Sequence, residues 1–425
     1  MDELTFHINF KEKMMAYKNM KIKKNKFLAN SDEEVRKQFV IHIGDDNVWF
    51  PNFLYSMKDE WINKGFPVSD ILIRESKTIM VSPIKTYVPF SSSLIKKDFC
   101  PTKSSIQSIV QKFVSIDNLE HGDVIEFSFI VYGLGIFRVS YSSDEHGVGM
   151  SIRYLSFSLP RMDSMKYPDF YENFIYDLVS KNTIAVPSGT MSVSGVKGGG
   201  LILHVGATGS GKSTSIAAEV GDIAEKITGA INTYESPIEY RYTATLAPVR
   251  QYEIGMDIKA DDEHSIFDNV KRHLLRNNPS VVVFGEARGN YEIKEVIDAS
   301  ARGHLVFATI HASTVMEALT TLMSVTKDEP KLLENTLHAI IAHKLVTNKE
   351  GKIIPIYEIL IPDHTMKTSI GKQDLASIAK AFIQKDSTVK NSFTFSDSLK
   401  RAAEEGWLTP TEIENIRKGS YNSFK

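Results

Sequence analysis

Eight consecutive residues, Gly206-Ala-Thr-Gly-Ser-Gly-Lys-Ser213, carry the spacing G-x-x-x-x-G-K-[ST]. Glycines so placed let backbone N–H groups close around phosphate oxygens, in a concave nest at the positive end of a helix. Lys212 supplies a point charge for β- and γ-phosphates, and Ser213 a hydroxyl ligand for Mg²⁺. An apolar run, residues 201–205, precedes the loop, and a helix-compatible run, residues 214–227, follows it. That strand–loop–helix setting is what the motif requires. Gly206, Ala207, Thr208, Gly209, Ser210, Gly211, Lys212, Ser213 and Thr214 are therefore the residues expected to hold a nucleotide.

Three further polar groups accompany three apolar strands: Tyr234-Glu-Ser-Pro-Ile-Glu239, Gly285-Glu-Ala-Arg288, and the histidines His304 and His311 on either side of residues 305–309. A nucleotide hydrolase needs a carboxylate to position or deprotonate water, a group to support Mg²⁺, and positive charge for the transition state. Glu286 directly follows a hydrophobic strand, where such an acid belongs. Glu235 and Glu239 follow the neighbouring strand, and either could orient water. His304 and His311 flank a five-residue strand and so lie near its two ends. They are not four apart on a helix and have no evident third ligand, which argues against zinc. Arg272 and Arg276 share one face of a helix, as a salt-bridged surface would.

These groups must be positioned by a sizeable fold. The chain has 425 residues, enough for two or three domains, and 42% hydrophobic residues, enough for real cores. A net charge of −2 gives no general attraction to nucleic acid or acidic lipid. Cys100 is the single cysteine, which excludes an intrachain disulfide and a cysteine-cluster zinc site. No run approaches the ~20 apolar residues of a membrane span. Met-Asp-Glu-Leu-Thr at the start lacks a signal-peptide layout, so work at a membrane would be peripheral. Lys18 to Lys26 holds five lysines and reads as a solvated arm or a basic patch.

The first half reads as α+β. A helix is expected over residues 53–62, and strands over 71–73, 79–81, 124–131, 137–142 and 150–157. Leu159-Pro160 and Tyr167-Pro168 mark a boundary, followed by a helix over 169–179. Beyond it, apolar strands at 201–205, 230–234, 281–284 and 305–309 alternate with helices at 214–227, 265–276, 292–302 and 315–325. Such alternation predicts an α/β fold with a parallel sheet covered on both faces. Ligands of such sheets bind beyond the carboxyl ends of the strands, and of the polar groups above only His304 falls elsewhere. The tail from about residue 371 reads as mostly helical, with a loop over 391–396.

The block from Gly206 to His311 resembles the secretion-ATPase superfamily, which includes PilT-type pilus retraction motors and type II and type IV secretion ATPases. Gly206–Ser213 resembles its Walker A, Tyr234–Glu239 its Asp box, Gly285–Arg288 its Walker B, and His304/His311 its His box. Leu274-Leu-Arg-Asn-Asn-Pro279 resembles the L-R-x-x-P segment before Walker B. Val68-Ser-Asp-Ile-Leu72 and Phe137-Arg-Val139 resemble segments of the family's N-terminal PAS-like domain. Three departures are visible: Ser236 stands where the family usually has Asp, Gly289 where it usually has an acid, and the strand leading into the Asp box carries Asn232 and Thr233 rather than a purely apolar run. The wording Y-E-S-P-I-E resembles the DotB/TraJ subgroup of type IVB secretion and conjugative transfer. The lack of a four-cysteine insert sets the chain apart from zinc-containing type II secretion and pilus-assembly ATPases.

The resemblance implies an extension over residues 1–60, a PAS-like domain over 61–165, a RecA-like ATPase domain over 166–370 and a helical tail over 371–425. It implies a cytoplasmic homo-hexamer that hydrolyses ATP with Mg²⁺, at the cytoplasmic face of the inner membrane. The partners are then secretion or pilus machinery proteins, with no direct binding of nucleic acid expected. By the same resemblance Glu239 aligns with the general base and Glu286 with the Walker-B glutamate that supports metal and water. Arg138 and Arg153 fall where the N-terminal domain reaches toward the γ-phosphate, and His304 and His311 would sense that phosphate or couple subunits. The rival readings are a pilus retraction motor, which differs in partner, a nucleic-acid translocase, disfavoured by the absence of a dense basic run in the second half, and a regulatory protein that binds nucleotide but hydrolyses little.

Overall fold

The computed structural model describes residues 6–9, 49–64, 68–82, 87–116, 122–131, 134–156, 159–186, 189–242, 246–254, 257–258, 263–350, 352–384 and 392–418. The lysine run from Lys18 to Lys26 lies outside the described residues. Contacts divide the chain into two units, Met1–Ser158 and Leu159–Lys425.

The first unit contains β1 (Phe6–Asn9), α1 (Trp49–Ser56), β2 (Asp70–Arg74), β3 (Met80–Ser82), β4 (Val88–Pro89), α2 (Lys103–Val110), β5 (Val124–Val131), β6 (Gly135–Asp144) and β7 (Gly147–Ser156). The strands form an antiparallel sheet in the order β1-β5-β6-β7-β2-β3-β4. Along β6 the residues alternate in burial: Phe137, Val139 and Tyr141 face the core, and Arg138 and Ser140 face away. That alternation is expected of a sheet packed on one face. Phe50 and Phe53 of α1, Ile106 and Val110 of α2, and Phe113 join this core, with Phe113, Phe129 and Phe137 stacked in series. The expected helix at 53–62 starts earlier and ends in a π turn, Met57–Trp61, and a 3₁₀ turn, Ile62–Lys64.

The second unit opens with α3 (Asp169–Asp177) and a hairpin of β8 (Val179–Val186) and β9 (Gly189–Val196). There follow β10 (Gly200–Val205), α4 (Lys212–Ala224), β11 (Ile231–Glu235), β12 (Val249–Glu253), α5 (Glu263–Asn277), β13 (Val281–Phe284), α6 (Asn290–Ala301) and β14 (Leu305–Ile310). The chain continues through α7 (Val315–Val325), α8 (Pro330–Thr336), β15 (Leu337–Thr347), β16 (Ile353–Leu360), α9 (His364–Gly371) and α10 (Leu375–Gln384). It ends with β17 (Ser392–Phe393), α11 (Phe395–Glu404) and α12 (Pro410–Arg417). The main sheet has the order β12-β11-β13-β14-β10-β15-β16-β17.

Strands β10, β13 and β14 are buried at every position. On β10, Leu201, Leu203 and Val205 enter the core formed with α5 to α10, while Ile202 enters the core formed with α3 and α4. The sheet is thus covered by helices on both faces, as continuous apolar strands require. The sheet expected to be parallel is parallel at its centre and mixed as a whole. The pairs from β12 through β15 are parallel, but β15–β16 and β16–β17 are antiparallel. Residues 348–352 join β15 to β16, and so short a connection permits only an antiparallel return. The tail also departs from expectation, because Ser392–Phe393 adds to the sheet edge. Helices α11 and α12 each start in a capping box, Thr394 with Asp397 and Thr409 with Glu412. Among the described residues, no helix is long and apolar enough to cross a membrane.

Candidate functional site

Strand β10 delivers the glycine loop to the carboxyl end of the sheet. Gly206, Gly209 and Gly211 have φ of +150°, +76° and +98°, a backbone range that side chains resist. A Cβ at Gly206 would stand 2.4 Å from Ser210 Oγ and 2.8 Å from the carbonyl oxygen of His343, so this position admits only glycine. Gly211 is the N-cap of α4 and contributes no side-chain cap. The first-turn amides of a 13-residue helix, and the positive end of its dipole, therefore face the loop. Lys212 is buried and folds over the loop, donating to the carbonyls of Gly206 at 2.7 Å and Ala207 at 3.0 Å. Ser213, Thr208 and Gly209 are exposed and Ala207 is half-buried. Ser210 Oγ is buried without a hydrogen-bond partner, an arrangement that costs free energy unless a ligand satisfies it. Thr214 Oγ1 and the Tyr240 hydroxyl share a hydrogen bond of 2.9 Å, which ties the first turn of α4 to the loop after β11.

The acidic side of the site stands on β11, β13 and β14. Glu235 ends β11, and one of its oxygens accepts from Thr233 Oγ1 at 2.6 Å and Gln251 Nε2 at 3.3 Å. Burial pushes its carboxyl up, and those hydrogen bonds, with one from the backbone of Glu239, offset part of the effect. Glu239 follows at the end of the Ser236–Pro237–Ile238 turn and is half-buried. Glu286 follows β13. Its two oxygens accept from Arg288 Nε at 2.7 Å and from His311 Nε2 at 2.5 Å. Burial pushes the Glu286 carboxyl up, but Arg288 and His311 outweigh it and hold the group below its ordinary value. Thr309 Oγ1 donates to the Gly285 carbonyl at 2.6 Å, which locks the turn that presents Glu286.

Register brings these groups to one end of the sheet. Val205 pairs with Ile310, Phe284 with Ala308, and Tyr234 with Phe284, so the chain leaves β10, β11, β13 and β14 at the same edge, within two residues of one another. The ends of β10 and β13 flank β14 and lie about 10 Å apart at ordinary strand spacing. Gly206–Thr214, Glu235, Glu239, Glu286 and His311 all belong to this edge.

His304 does not. It precedes β14, at the opposite end of the sheet, roughly 20 Å from His311 along a six-residue strand. It is buried, and its Nδ1 donates to the Pro279 carbonyl at 2.7 Å. With Lys271, Glu295 and Arg302 it lines a small cleft between α5 and α6. Residues on either side of one strand cannot share a site at one sheet edge, which corrects the expectation that His304 joins His311 at the nucleotide. Arg138 and Arg153 belong to the first unit, where they are direct neighbours across β6 and β7. Arg138 is half-buried, and Arg153 is bound at 3.1 Å to Asp70, its neighbour on β2. Arg272 and Arg276 are both exposed on α5, Arg272 donating to Asn269 at 3.2 Å.

Sequence reasoning missed Tyr240 and Gln251, and a buried polar trio of His204, Glu219 and His343. The signal for the trio was the histidine inside the apolar run Leu201-Ile-Leu-His-Val205, and a glutamate on the inner face of α4.

Residues 191–392, which contain the whole sheet edge just described, match the family described as Type II/IV secretion system protein. This part of the chain is similar to that family. Over 293 residues the protein is 28% identical to the type IV pilus ATPase PilU of Pseudomonas aeruginosa, covering 67% of this chain and 68% of PilU. The ATPase DotB of Legionella pneumophila has a similar fold, with a TM-score of 0.70 at 20% identity over 88% of this chain and 96% of DotB. The pilus retraction motor PilT with bound ADP gives a TM-score of 0.63 at 24% identity, over 83% of this chain and 94% of PilT. The chain thus shares with DotB and PilT an α/β fold with a central mixed sheet.

Proposed function

We propose that the chain is an ATP-hydrolysing motor subunit that energises a type IVB secretion or conjugative-transfer apparatus. The observation that supports hydrolysis best is the convergence on one sheet edge of a phosphate loop and a carboxylate, Glu286, flanked by Arg288 and His311. In this reading Lys212 exchanges its bonds to the Gly206 and Ala207 carbonyls for phosphate oxygens. The first-turn amides of α4 and Ser210 Oγ complete the cradle. Ser213 and Glu286 offer hard oxygen donors, the set that suits Mg²⁺, and they would hold it. Bound Mg²⁺ would offset charge on the phosphates. Glu239 acts as the base for water. Glu235, fixed by Thr233 and Gln251, supports the turn that carries Glu239. Arg138 and Arg153 bring positive charge from the PAS-like domain, and His311 reports the γ-phosphate through Glu286.

The motor works as a homo-hexamer at the cytoplasmic face of the inner membrane, with secretion-machinery proteins as partners. Its domains run over residues 61–165 and 166–370, with the extension 1–60 before them and the tail 371–425 after. Ser236 in place of the usual Asp supports the type IVB assignment, and the similarity to the pilus retraction ATPase PilT supports a second reading as a pilus retraction motor. Lys212→Ala is expected to abolish phosphate release from ATP while leaving far-ultraviolet circular dichroism unchanged. Full turnover in that variant would exclude the assignment.

A further inference from the structure

Glu219 lies on α4, two turns beyond Lys212, and is wholly buried. Its Oε1 accepts from the hydroxyls of Tyr167 at 2.6 Å and Tyr171 at 3.1 Å, and its Oε2 from His204 Nε2 at 3.1 Å. His204 Nδ1 shares a 2.8 Å hydrogen bond with His343 Nε2. All five side chains are buried. A carboxylate in such a place is unfavourable unless fully paired, and a packed apolar residue would serve stability as well or better. The two ends of this chain of hydrogen bonds are therefore informative.

One end lies beneath the phosphate loop. His204 is two residues before Gly206, and the His343 carbonyl is the atom that a Cβ at Gly206 would strike. Burial, then His204 and Lys212, hold His343 well below its ordinary value. The other end is the segment through which the chain enters its second unit, directly after Ser158. Tyr167 and Tyr171 belong to it, and burial followed by Glu219 keeps both hydroxyls protonated as donors. The same segment is fastened to α4 by Arg161, which pairs with Asp222 at 3.2 Å and Glu225 at 2.5 Å. It is fastened to β16 by Tyr357, whose hydroxyl donates to the Met165 carbonyl at 2.7 Å. It is fastened to the tail by Arg401, which donates to the Lys166 carbonyl at 2.7 Å, and by the Lys166 ammonium, 3.9 Å from the centre of the Trp407 ring.

We propose that Glu219, with Tyr167 and Tyr171, is a positioning relay that couples the state of the phosphate loop to the segment joining the two units. This rests on the reading that the loop takes nucleotide. Helix α4 is one rod, about 20 Å long, with the loop at its amino end and the joining segment hydrogen-bonded to its side. When Lys212 and the first-turn amides turn to phosphate, the rod and the buried histidines shift together, and Glu219 carries the shift to the two tyrosines.

The test is hydrogen exchange of peptides within residues 159–178 of the full chain, with and without ADP and Mg²⁺, beside ADP binding measured separately by calorimetry. In the unsubstituted chain, ADP should slow exchange in these peptides. In Tyr167→Phe/Tyr171→Phe, which keeps both rings, ADP affinity should stay within about threefold while the exchange response disappears and kcat falls roughly 2- to 30-fold at similar KM. Glu219→Gln keeps an acceptor for the tyrosines and should retain the response. A normal response in the double variant overturns the proposal, as does an unsubstituted chain that binds ADP with no change in these peptides. An unsubstituted chain that fails to bind ADP overturns the nucleotide reading itself, and the relay with it.

Discussion

Gly206→Ala tests how rigidly the phosphate loop is set. The added methyl would meet Ser210 Oγ at 2.4 Å and the His343 carbonyl oxygen at 2.8 Å, with φ at +150°. The hydroxyl can rotate away. The carbonyl cannot, because His343 lies in β15, which is paired on both sides, with β10 and β16. Strain at this φ costs about 1–3 kcal/mol, and forcing a methyl into a filled space about 1–3 kcal/mol more. A loss of roughly 2–6 kcal/mol corresponds to a fall in Tm of roughly 4–24 °C for a domain of this size. Gly211→Ala is the control. Its φ is +98°, but the nearest atom, Leu345 Cδ2, would be at an ordinary 3.7 Å, so only the backbone cost remains. Calorimetric unfolding should rank Gly206→Ala well below Gly211→Ala, with Gly206→Ala/Ser210→Ala partly restored. Equal Tm values for the unsubstituted chain and Gly206→Ala would refute the packing of the loop against β15.

Other expectations follow from the site. Arg288→Ala removes the charge that opposes burial at Glu286, so its carboxyl titrates at higher pH; the acid limb of the turnover profile should move upward, and an unmoved limb contradicts that pairing. The folded-state depression of Glu286 likewise contributes stability above the ordinary carboxylate range that is lost as pH falls through its lowered value, and Arg288→Ala should flatten this dependence in pH-dependent unfolding. His304→Ala should leave turnover within about twofold while lowering stability by about 1–3 kcal/mol, since it orphans the Pro279 carbonyl at the far sheet end. Phosphate-release assays should find His311→Ala the more damaging of the two histidine substitutions. Glu239→Gln should reduce turnover roughly 100-fold or more at unchanged Tm, whereas Glu235→Gln, in a hydrogen-bonded niche, should affect Tm first; the reverse ranking would exchange their roles.

Much of the second unit was legible because its central strands are short, mostly apolar runs and its helices are long, so β10, β11, β13 and β14 fall close to their expected places. Strands β15 and β16 were not read, although the short polar connection Asn348-Lys-Glu-Gly-Lys352 between two apolar runs is the signal of an antiparallel return. Strand β12, Val-Arg-Gln-Tyr-Glu, carries too many polar residues for an apolar-run criterion and pairs only at a sheet edge. The acids and His311 could be assigned to one site because a parallel sheet collects whatever follows its strands. His304 obeys the same logic, since its place before the strand puts it at the far end, and it was the resemblance that set it with His311 at the phosphate. The Glu219 network was invisible for a different reason. Its members are scattered from Tyr167 to His343, and only packing across α4 and the sheet assembles them.

The central claim is that the edge carrying Gly206–Ser213 and Glu286 hydrolyses nucleotide rather than merely binding it. Its most direct test compares phosphate release and ADP binding by the purified full chain and its Glu286→Gln variant in the presence of Mg²⁺. Binding should survive within about tenfold while hydrolysis falls roughly 100-fold or more. Undiminished hydrolysis by Glu286→Gln, or no hydrolysis by the unsubstituted chain under any assembly state, would contradict the account.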